Sequence, residues 1–338
     1  MIILLKSDAD QKTVTDLKEW LSRRDISIES AYAFGSEVIK LEGDLDKIDF
    51  SLIKRFDCVA SITKTRDSYK FASRHNYPDD TVIRIGDLTI GGGMFNVIAG
   101  PCSVESSEQI KEIAESVKAS GASILRGGAF KPRTSPYAFQ GLKSRGIEKL
   151  IEAKKLTGMP IVSEIVDISA LPFFDHVDII QVGARNMQNF ELLKELGHTR
   201  KPILLKRGPA NTIEEFLMSA EYILAGGNTN VILCERGVRT FENMTRNTLD
   251  IASVPLLKKL THLPVFADPS HSSGRADIVP NLALACCAAG ADGVMVEVHN
   301  DPVNAFSDGA QSITPSAFRD MMIKVKEICP ILGKTVQC

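Results

Sequence analysis

No apolar run in this 338-residue chain approaches the ~20 residues needed to span a bilayer; the longest, such as 231–234 and 282–289, stop far short. A secretory signal is missing too, because MIILLKSDADQK places a lysine after five apolar residues and then acids, which reads as a first strand. The seven cysteines are an odd number without a CxxC spacing, so the chain is expected in a reducing compartment, the cytoplasm. A net charge of −2 gives no global attraction to nucleic acid, and any basic site has to be local. There is no repeat and no low-complexity tract. P-loop, GxSxG elbow and Rossmann fingerprint are all lacking, which argues against ATP use, serine hydrolysis and dinucleotide redox chemistry. What remains, with 44% hydrophobic and 24% charged residues, is the composition of a soluble globular protein of one large or two unequal domains.

The pattern changes along the chain. Residues 1–66 read as strand, helix, strand, strand, helix, strand. MIILLK opens the series, and Asp8 or Asp10 can cap a helix to Arg23 with Val14, Leu17, Trp20 and Leu21 on one face. SIESAYAF and EVIKLEG flank a hairpin signal at Gly35 and Ser36, 45–56 is amphipathic, and CVASITKT closes the unit. This βαββαβ order predicts a small α+β ferredoxin-like domain, the order also of ACT-type regulatory modules. Residues 67–93 follow as a polar linker and a hairpin around Gly86 and Asp87.

From 94 to 338, short apolar strands alternate with helical stretches. The candidate strands are 96–100, 123–128, 160–165, 178–183, 202–208, 231–237, 264–270 and 293–299. Eight βα units over ~245 residues predict a (β/α)8 TIM barrel; a doubly wound sheet is the rival, but no GxGxxG follows the first of these strands. Barrel enzymes build their sites at the C-terminal ends of the strands. Those ends carry Cys102, Arg126 with Lys131 beyond, Glu164, Arg185, Lys206, Arg236, Asp268 with His271, and Glu297 with His299. Arg126, Lys131 and Arg133 fall within eight positions, in LRGGAFKPRTSPY. Cations crowded at one mouth repel unless an anion sits among them, so a multivalent anion such as phosphate is favoured over a merely solvated rim.

Barrel closure brings the first and eighth strands together, so Cys102, His271 and Glu297 converge, with Asp308 of the DGAQS loop in reach. A thiolate, an imidazole and two carboxylates suit one divalent ion: Mn²⁺, Fe²⁺, Co²⁺ or Zn²⁺. On spacing alone Cys102 reads sooner as a small buried side chain after a Gly-Pro turn than as a ligand, and His299, on the strand face of Glu297, competes as the nitrogen ligand. The other cysteines, including the adjacent Cys286 and Cys287, read as core. A metal beside a bowl of cations suggests Lewis-acid chemistry at a carbonyl held through phosphate groups.

IAGPCSVES, LRGGAFKPRTSPYAFQG, QVGARNMQN, LLKRG, LCERGVRTFE, DPSHSSGR and EVH with SDGAQS together resemble the 3-deoxy-D-arabino-heptulosonate-7-phosphate (DAHP) synthases. The likeness is to the type I β subgroup, with its N-terminal ferredoxin-like extension, and it covers essentially the whole chain. It implies condensation of phosphoenolpyruvate with D-erythrose 4-phosphate to DAHP and phosphate, the first step of the shikimate pathway to aromatic amino acids. Cys102, His271, Glu297 and Asp308 would then bind the metal, which displaces His299. Arg126, Lys131, Arg185, Lys206, Arg236 and Asp268, with the backbone of Gly183 and Ala184, would form the phosphoenolpyruvate site, and Arg133 and Thr134 would hold the phosphate of erythrose 4-phosphate. The prolines of LRGGAFKPRTSPY stiffen that loop and lower the entropy lost as it orders around ligand.

The same resemblance implies that C3 of phosphoenolpyruvate attacks the polarised aldehyde, that Lys131 protonates the emerging alkoxide, and that water, oriented by Glu164, adds at C2 before phosphate leaves. The related octulosonate phosphate synthases, which use arabinose 5-phosphate, carry Ala-Asn in place of the proline of KPRTS, so the sequence 131–135 favours the DAHP side. A non-catalytic phosphosugar-binding barrel would need the cations but not the metal donors. The resemblance further implies a homotetramer and feedback inhibition, with phenylalanine or tyrosine as effector of residues 1–66; the alternative is that this module only stabilises the oligomer.

Overall fold

The computed structural model describes residues 1–337 except 25, 34, 35, 44, 46, 47, 64–67, 132–134 and 136. Two compact units result, Met1–Lys70 and Phe71–Cys338. The first runs β1 (Ile2–Leu5), α1 (Gln11–Ser22), β2 (Ser27–Ala33), β3 (Ser36–Glu42), α2 (Phe50–Ile53) and β4 (Val59–Thr63). Its antiparallel sheet has the order β2-β3-β1-β4, the βαββαβ arrangement expected. Alternation on β1 buries Ile3 and Leu5 against Val14, Leu17 and Leu21 of α1, whose start is fixed by Asp10 accepting from the Thr13 N–H at 3.2 Å. Within the amphipathic stretch 45–56 lies the single turn α2, whose start is set by Asp49 accepting from the Ser51 N–H (2.9 Å). Gly35 of the expected turn lies outside the described residues; Ser36 pairs with Ala33 across β2 and β3.

The second unit begins with β5 (Ile83–Ile85), β6 (Leu88–Ile90), β7 (Met94–Gly100), α3 (Ser107–Ser120) and β8 (Ile124–Arg126). It continues through α4 (Ser144–Thr157), β9 (Ile161–Ile165), β10 (Ile179–Val182), α5 (Phe190–Gly197), β11 (Ile203–Lys206), α6 (Ile213–Ala225) and β12 (Val231–Glu235). The remaining elements are α7 (Ser253–Leu260), β13 (Val265–Ala267), α8 (Pro269–Ser273), α9 (Val279–Ala288), β14 (Gly293–Glu297), α10 (Pro315–Ile331) and β15 (Thr335–Val336). Strands β7 to β14 are parallel neighbours in sequence order, and β14 pairs back onto β7, which closes an eight-stranded (β/α)8 barrel. Several strands are shorter than the sequence suggests. β13 stops at Ala267 because Asp268 turns to cap α8 through the His271 N–H at 2.9 Å. Residues 71–80, polar enough to read as a linker, are instead tied to this unit: the N–H groups of Phe71 and Ala72 donate to Glu221, and Arg74 to the Leu260 carbonyl. No described helix is long and apolar enough to cross a membrane.

Every barrel strand sends one large apolar side chain inward: Ile98, Ile124, Val162, Ile179, Leu204, Ile232, Phe266 and Met295. Ile83, Leu88 and Ile90 of the β5–β6 hairpin join that cluster. Gly293 makes room for it, since a Cβ there would sit 2.5 Å from the Phe266 ring and 2.4 Å from the Asn96 carbonyl oxygen. The described cysteines are all buried, with Cys287 Sγ 3.0 Å from Cys329 Sγ between α9 and α10.

This apolar plug is the platform on which the polar residues above it stand. Phe266→Ala should therefore destabilise the barrel unit by about 3–5 kcal/mol, the range for a large aromatic removed from a close-packed site. Urea unfolding followed by far-ultraviolet circular dichroism checks it, and a loss below about 1 kcal/mol would mean the plug is not close-packed.

Candidate active site

A strand alternates its faces with period two, so the residue two beyond each inward apolar side chain also points inward, one layer nearer the C-terminal mouth. The rule moves from Ile124 to Arg126, Val162 to Glu164, Ile179 to Gln181, Leu204 to Lys206, Phe266 to Asp268 and Met295 to Glu297. An apolar layer is thereby capped by a layer in which five of the eight positions carry charged residues, with Gly100, Gln181 and Cys234 at the other three. Arg126, Lys206, Asp268 and Glu297 are all buried, so each needs a partner. Arg126 Nη2 lies 3.0 Å from Glu297 Oε1, and the Lys206 ammonium is ion-paired with Asp268. His271, on the first turn of α8, joins the two pairs, with Nδ1 2.8 Å from Asp268 Oδ2 and Nε2 3.4 Å from Glu297 Oε1. A neutral imidazole donating its Nδ1–H to Asp268 leaves the Nε2 lone pair free, the form a metal ligand needs.

Cys102 and Asp308 complete the group. Cys102 Sγ donates to Asp308 Oδ2 at 3.0 Å, and one ligand atom from each of Cys102, His271, Glu297 and Asp308 lies within 4.8 Å of the others. Asp308 is one of two described non-glycine residues with positive φ, at 52°. Burial pushes the Cys102 thiol up to about 12, and the Glu297 carboxylate adds to the effect. A coordinated cation reverses that balance, because metal-bound thiols are deprotonated outright. Three acidic side chains and one imidazole gathered around a common point are the donor set a divalent ion fits.

Beside this group opens a cavity of about 220 Å³. It is lined by six cations (Lys131, Arg185, Lys206, Arg236, Arg239 and Arg246), and by Glu164, Gln181, Gly183, Ala184, Pro209, Asn247, His271 and Asp308. Lys131 links cavity and donors, its Nζ 2.9 Å from Cys102 Sγ and 3.0 Å from the Cys102 carbonyl oxygen. Burial acts to lower the Lys131 pKa, but the neighbouring Cys102 sulfur and the Glu164 and Glu297 carboxylates outweigh it and raise it. The absence of a side chain at Gly183 leaves the Glu164 carboxylate its place, since a Cβ would fall 1.9 Å from Glu164 Oε1 and push it aside. Two buried nitrogens of the Arg126 guanidinium, Nε and Nη1, have no hydrogen-bond partner among the described residues.

Of the residues singled out from sequence, Lys131, Glu164, Gly183, Ala184, Arg185, Lys206, Arg236, His271 and Asp308 line the cavity, while Cys102, Arg126, Asp268 and Glu297 lie against it or beneath it. Arg133 and Thr134 fall outside the described residues. His299 is not among the converging donors: its Nδ1 accepts from the Asp301 N–H (3.0 Å) and its Nε2 lies 3.2 Å from the Gln109 amide. Gln181, Arg239, Arg246 and Asn247 were missed. Gln181 was accessible through the period-two rule; the others sit on a loop whose course the sequence does not specify.

The site and fold define a class: a (β/α)8 barrel enzyme with an anion-binding mouth and a group of donors fit for a divalent cation. Residues 71–332 match the model of the DAHP synthetase I family. A Thermotoga maritima protein named phospho-2-dehydro-3-deoxyheptonate aldolase is 46% identical over 337 residues, 99% of this chain and all of that one. A crystal structure of the DAHP synthase from Thermotoga maritima superposes with a TM-score of 0.89 at 46% identity, covering 99% of each chain. A 2-dehydro-3-deoxyphosphooctonate aldolase of Geobacter sulfurreducens is 30% identical over 74% of this chain and 98% of its own. The chain belongs to the DAHP synthetase I family.

Asp268 holds the mouth together, and its pKa lies well below the ordinary carboxylate value: burial opposes the charge, and His271 and Lys206 outweigh it. Its stabilisation is therefore complete above the unfolded value of about 3.9 and is lost as pH falls below it. Asp268→Asn should cost about 3–5 kcal/mol at neutral pH by leaving Lys206 buried without a counter-charge. The gap between variant and unmodified protein, read from denaturant midpoints, should hold steady above about pH 5 and narrow as pH falls below about 4. A gap independent of pH would refute the charge pairing.

Proposed function

We propose that this enzyme condenses phosphoenolpyruvate with D-erythrose 4-phosphate, forming DAHP and phosphate at the entry to the shikimate pathway. The observation that carries the reading is the six-cation cavity sharing its wall with the four converging donors, in a chain of this family. Arg126, Lys131, Arg185, Lys206 and Arg236, with the Gly183 and Ala184 backbone, hold the phosphate and carboxylate of phosphoenolpyruvate. Lys206 is itself oriented by Asp268. Arg133 and Thr134 take the phosphate of erythrose 4-phosphate. Cys102, His271, Glu297 and Asp308 hold one divalent ion (Mn²⁺, Fe²⁺, Co²⁺ or Zn²⁺), which when bound supplies Lewis-acid polarisation of the aldehyde. Lys131, charged and beside that group, gives its proton to the alkoxide oxygen formed as C3 of phosphoenolpyruvate attacks. Glu164, steadied by Gln181 at 3.3 Å, orients the water that adds at C2, after which the C–O bond to phosphate breaks.

One assay tests the whole reading. Phosphate should be released from phosphoenolpyruvate with erythrose 4-phosphate and far more slowly with arabinose 5-phosphate. Chelation should abolish turnover, Mn²⁺ should restore it, and Cys102→Ala should stay folded but inactive. Preference for arabinose 5-phosphate would make the enzyme an octulosonate phosphate synthase. Full activity after exhaustive chelation would remove the metal from the scheme.

The Met1–Lys70 unit has its own core and contains none of the cavity or donor residues. We propose that it couples phenylalanine or tyrosine to the activity of the barrel in a homotetramer. An effector acts only through unequal affinity for two states of the protein. The chain from Phe71 onward should accordingly keep kcat within about two-fold while losing inhibition by either amino acid. Inhibition that persists in the folded, shortened protein would place the effector site in the barrel.

A further inference from the structure

Arg246 and Gln311 belong to neither the donor set nor the proposed phosphate contacts, yet together they join two of the four donors, Asp308 and Glu297. Arg246 lies on the loop between β12 and α7. Its N–H donates to the Ser273 carbonyl at 2.8 Å, and that of Asn247 to the Ser272 carbonyl at 2.7 Å. Those bonds pin the loop to the end of α8, the helix that carries His271. From this anchor Arg246 Nη1 donates to Asp308 Oδ1 (3.2 Å) and to Gln311 Oε1 (3.0 Å). Gln311, only 2% exposed, passes the contact on: its Nε2 donates to Glu297 Oε2 at 2.7 Å. One continuous Arg–Gln unit thus occupies the far oxygen of each candidate carboxylate ligand. The near oxygens face the other donors, Asp308 Oδ2 at 3.0 Å from Cys102 Sγ and Glu297 Oε1 at 3.4 Å from His271 Nε2, the latter oxygen also 3.0 Å from Arg126 Nη2.

We infer that Arg246 and Gln311 are positioning residues that fix which oxygen of Asp308 and of Glu297 is offered to the divalent cation. The inference rests on the metal reading of the site given above. A carboxylate with both oxygens free rotates between alternatives, and two carboxylates beside a thiol repel one another as they do so. Binding the far oxygens removes the rotation, and the guanidinium offsets part of the negative charge. A planar fork suits two acceptors in a way that an ammonium on a flexible stem does not. Groups that hold metal ligands in this manner typically affect metal affinity by 10–100-fold.

The test uses the full chain and Co²⁺ alone, titrated against a chromophoric chelator, with the sulfur-to-cobalt absorption band reporting contact with Cys102. Arg246→Gln should bind Co²⁺ about 10–100-fold more weakly, and Arg246→Lys should fall between it and the unmodified protein. Gln311→Met, which keeps length and loses the amide, should match Arg246→Gln, with thermal unfolding confirming that each variant is folded. Cobalt affinity and spectrum unchanged in the folded variants, with a raised KM for phosphoenolpyruvate, would make Arg246 a substrate contact and overturn the inference. Absence of Co²⁺ uptake in the unmodified chain would instead overturn the metal reading on which it rests.

Discussion

Four buried charges at the barrel mouth constrain everything around them. Arg126 and Lys206 each pair with a carboxylate, Glu297 and Asp268, and His271 stands between the two carboxylates, so the series Arg126–Glu297–His271–Asp268–Lys206 is continuous. Each charge would be prohibitive alone in a low-dielectric interior. Together they satisfy one another, and none can be deleted without stranding its neighbour. Cancellation is nevertheless incomplete, because two Arg126 donors have no partner among the described residues and the cavity beside the series holds further cations. That residual positive field makes an anionic ligand part of the electrostatic design and not an addition to it.

Depth sorts the chemistry. Cys102, Asp268 and Glu297 are at most 1% exposed, whereas the Arg246 side chain is 42% exposed at the rim. Negative and sulfur donors therefore lie at the floor, and cations reach from the floor to the rim. A substrate with phosphate and carboxylate groups is drawn towards that field, and its uncharged reacting carbon is carried toward the donors. Lys131 stands at the border, 2.9 Å from Cys102 Sγ and on the cavity wall, where a proton can pass between the two regions.

How much of this was legible depends on distance along the chain. Period-two alternation places Arg126, Glu164, Lys206 and Glu297 on strands directly, and the closure of an eight-stranded barrel brings Cys102 near Glu297 without any local motif. Loops obey no such period. Arg246 reaches Asp308 only because backbone bonds to Ser272 and Ser273 fold its loop over α8, a contact with no signature in residue type. His299 illustrates the converse: it shares the strand phase of Glu297, but the Gln109 amide and the Asp301 N–H occupy its two ring nitrogens. The polar stretch ending at Asp80 misled for a related reason, since Glu221, far away in sequence, supplies the acceptor that holds Phe71 and Ala72.

The layer of charge also explains why the apolar layer beneath it is so complete. Buried ion pairs contribute little net stability, because desolvation consumes most of the Coulombic gain. The mouth therefore cannot hold the barrel closed by itself. Ile98, Leu204, Phe266, Met295 and their neighbours supply that closure through burial, sealed from the other end by Ile83, Leu88 and Ile90. A chain that placed its ionisable residues one position earlier on each strand would turn them away from the cavity and bring the intervening residues inward, losing plug and site together. Fold and site are consequently written in the same alternation, and a substitution that shifts the phase of one strand damages both.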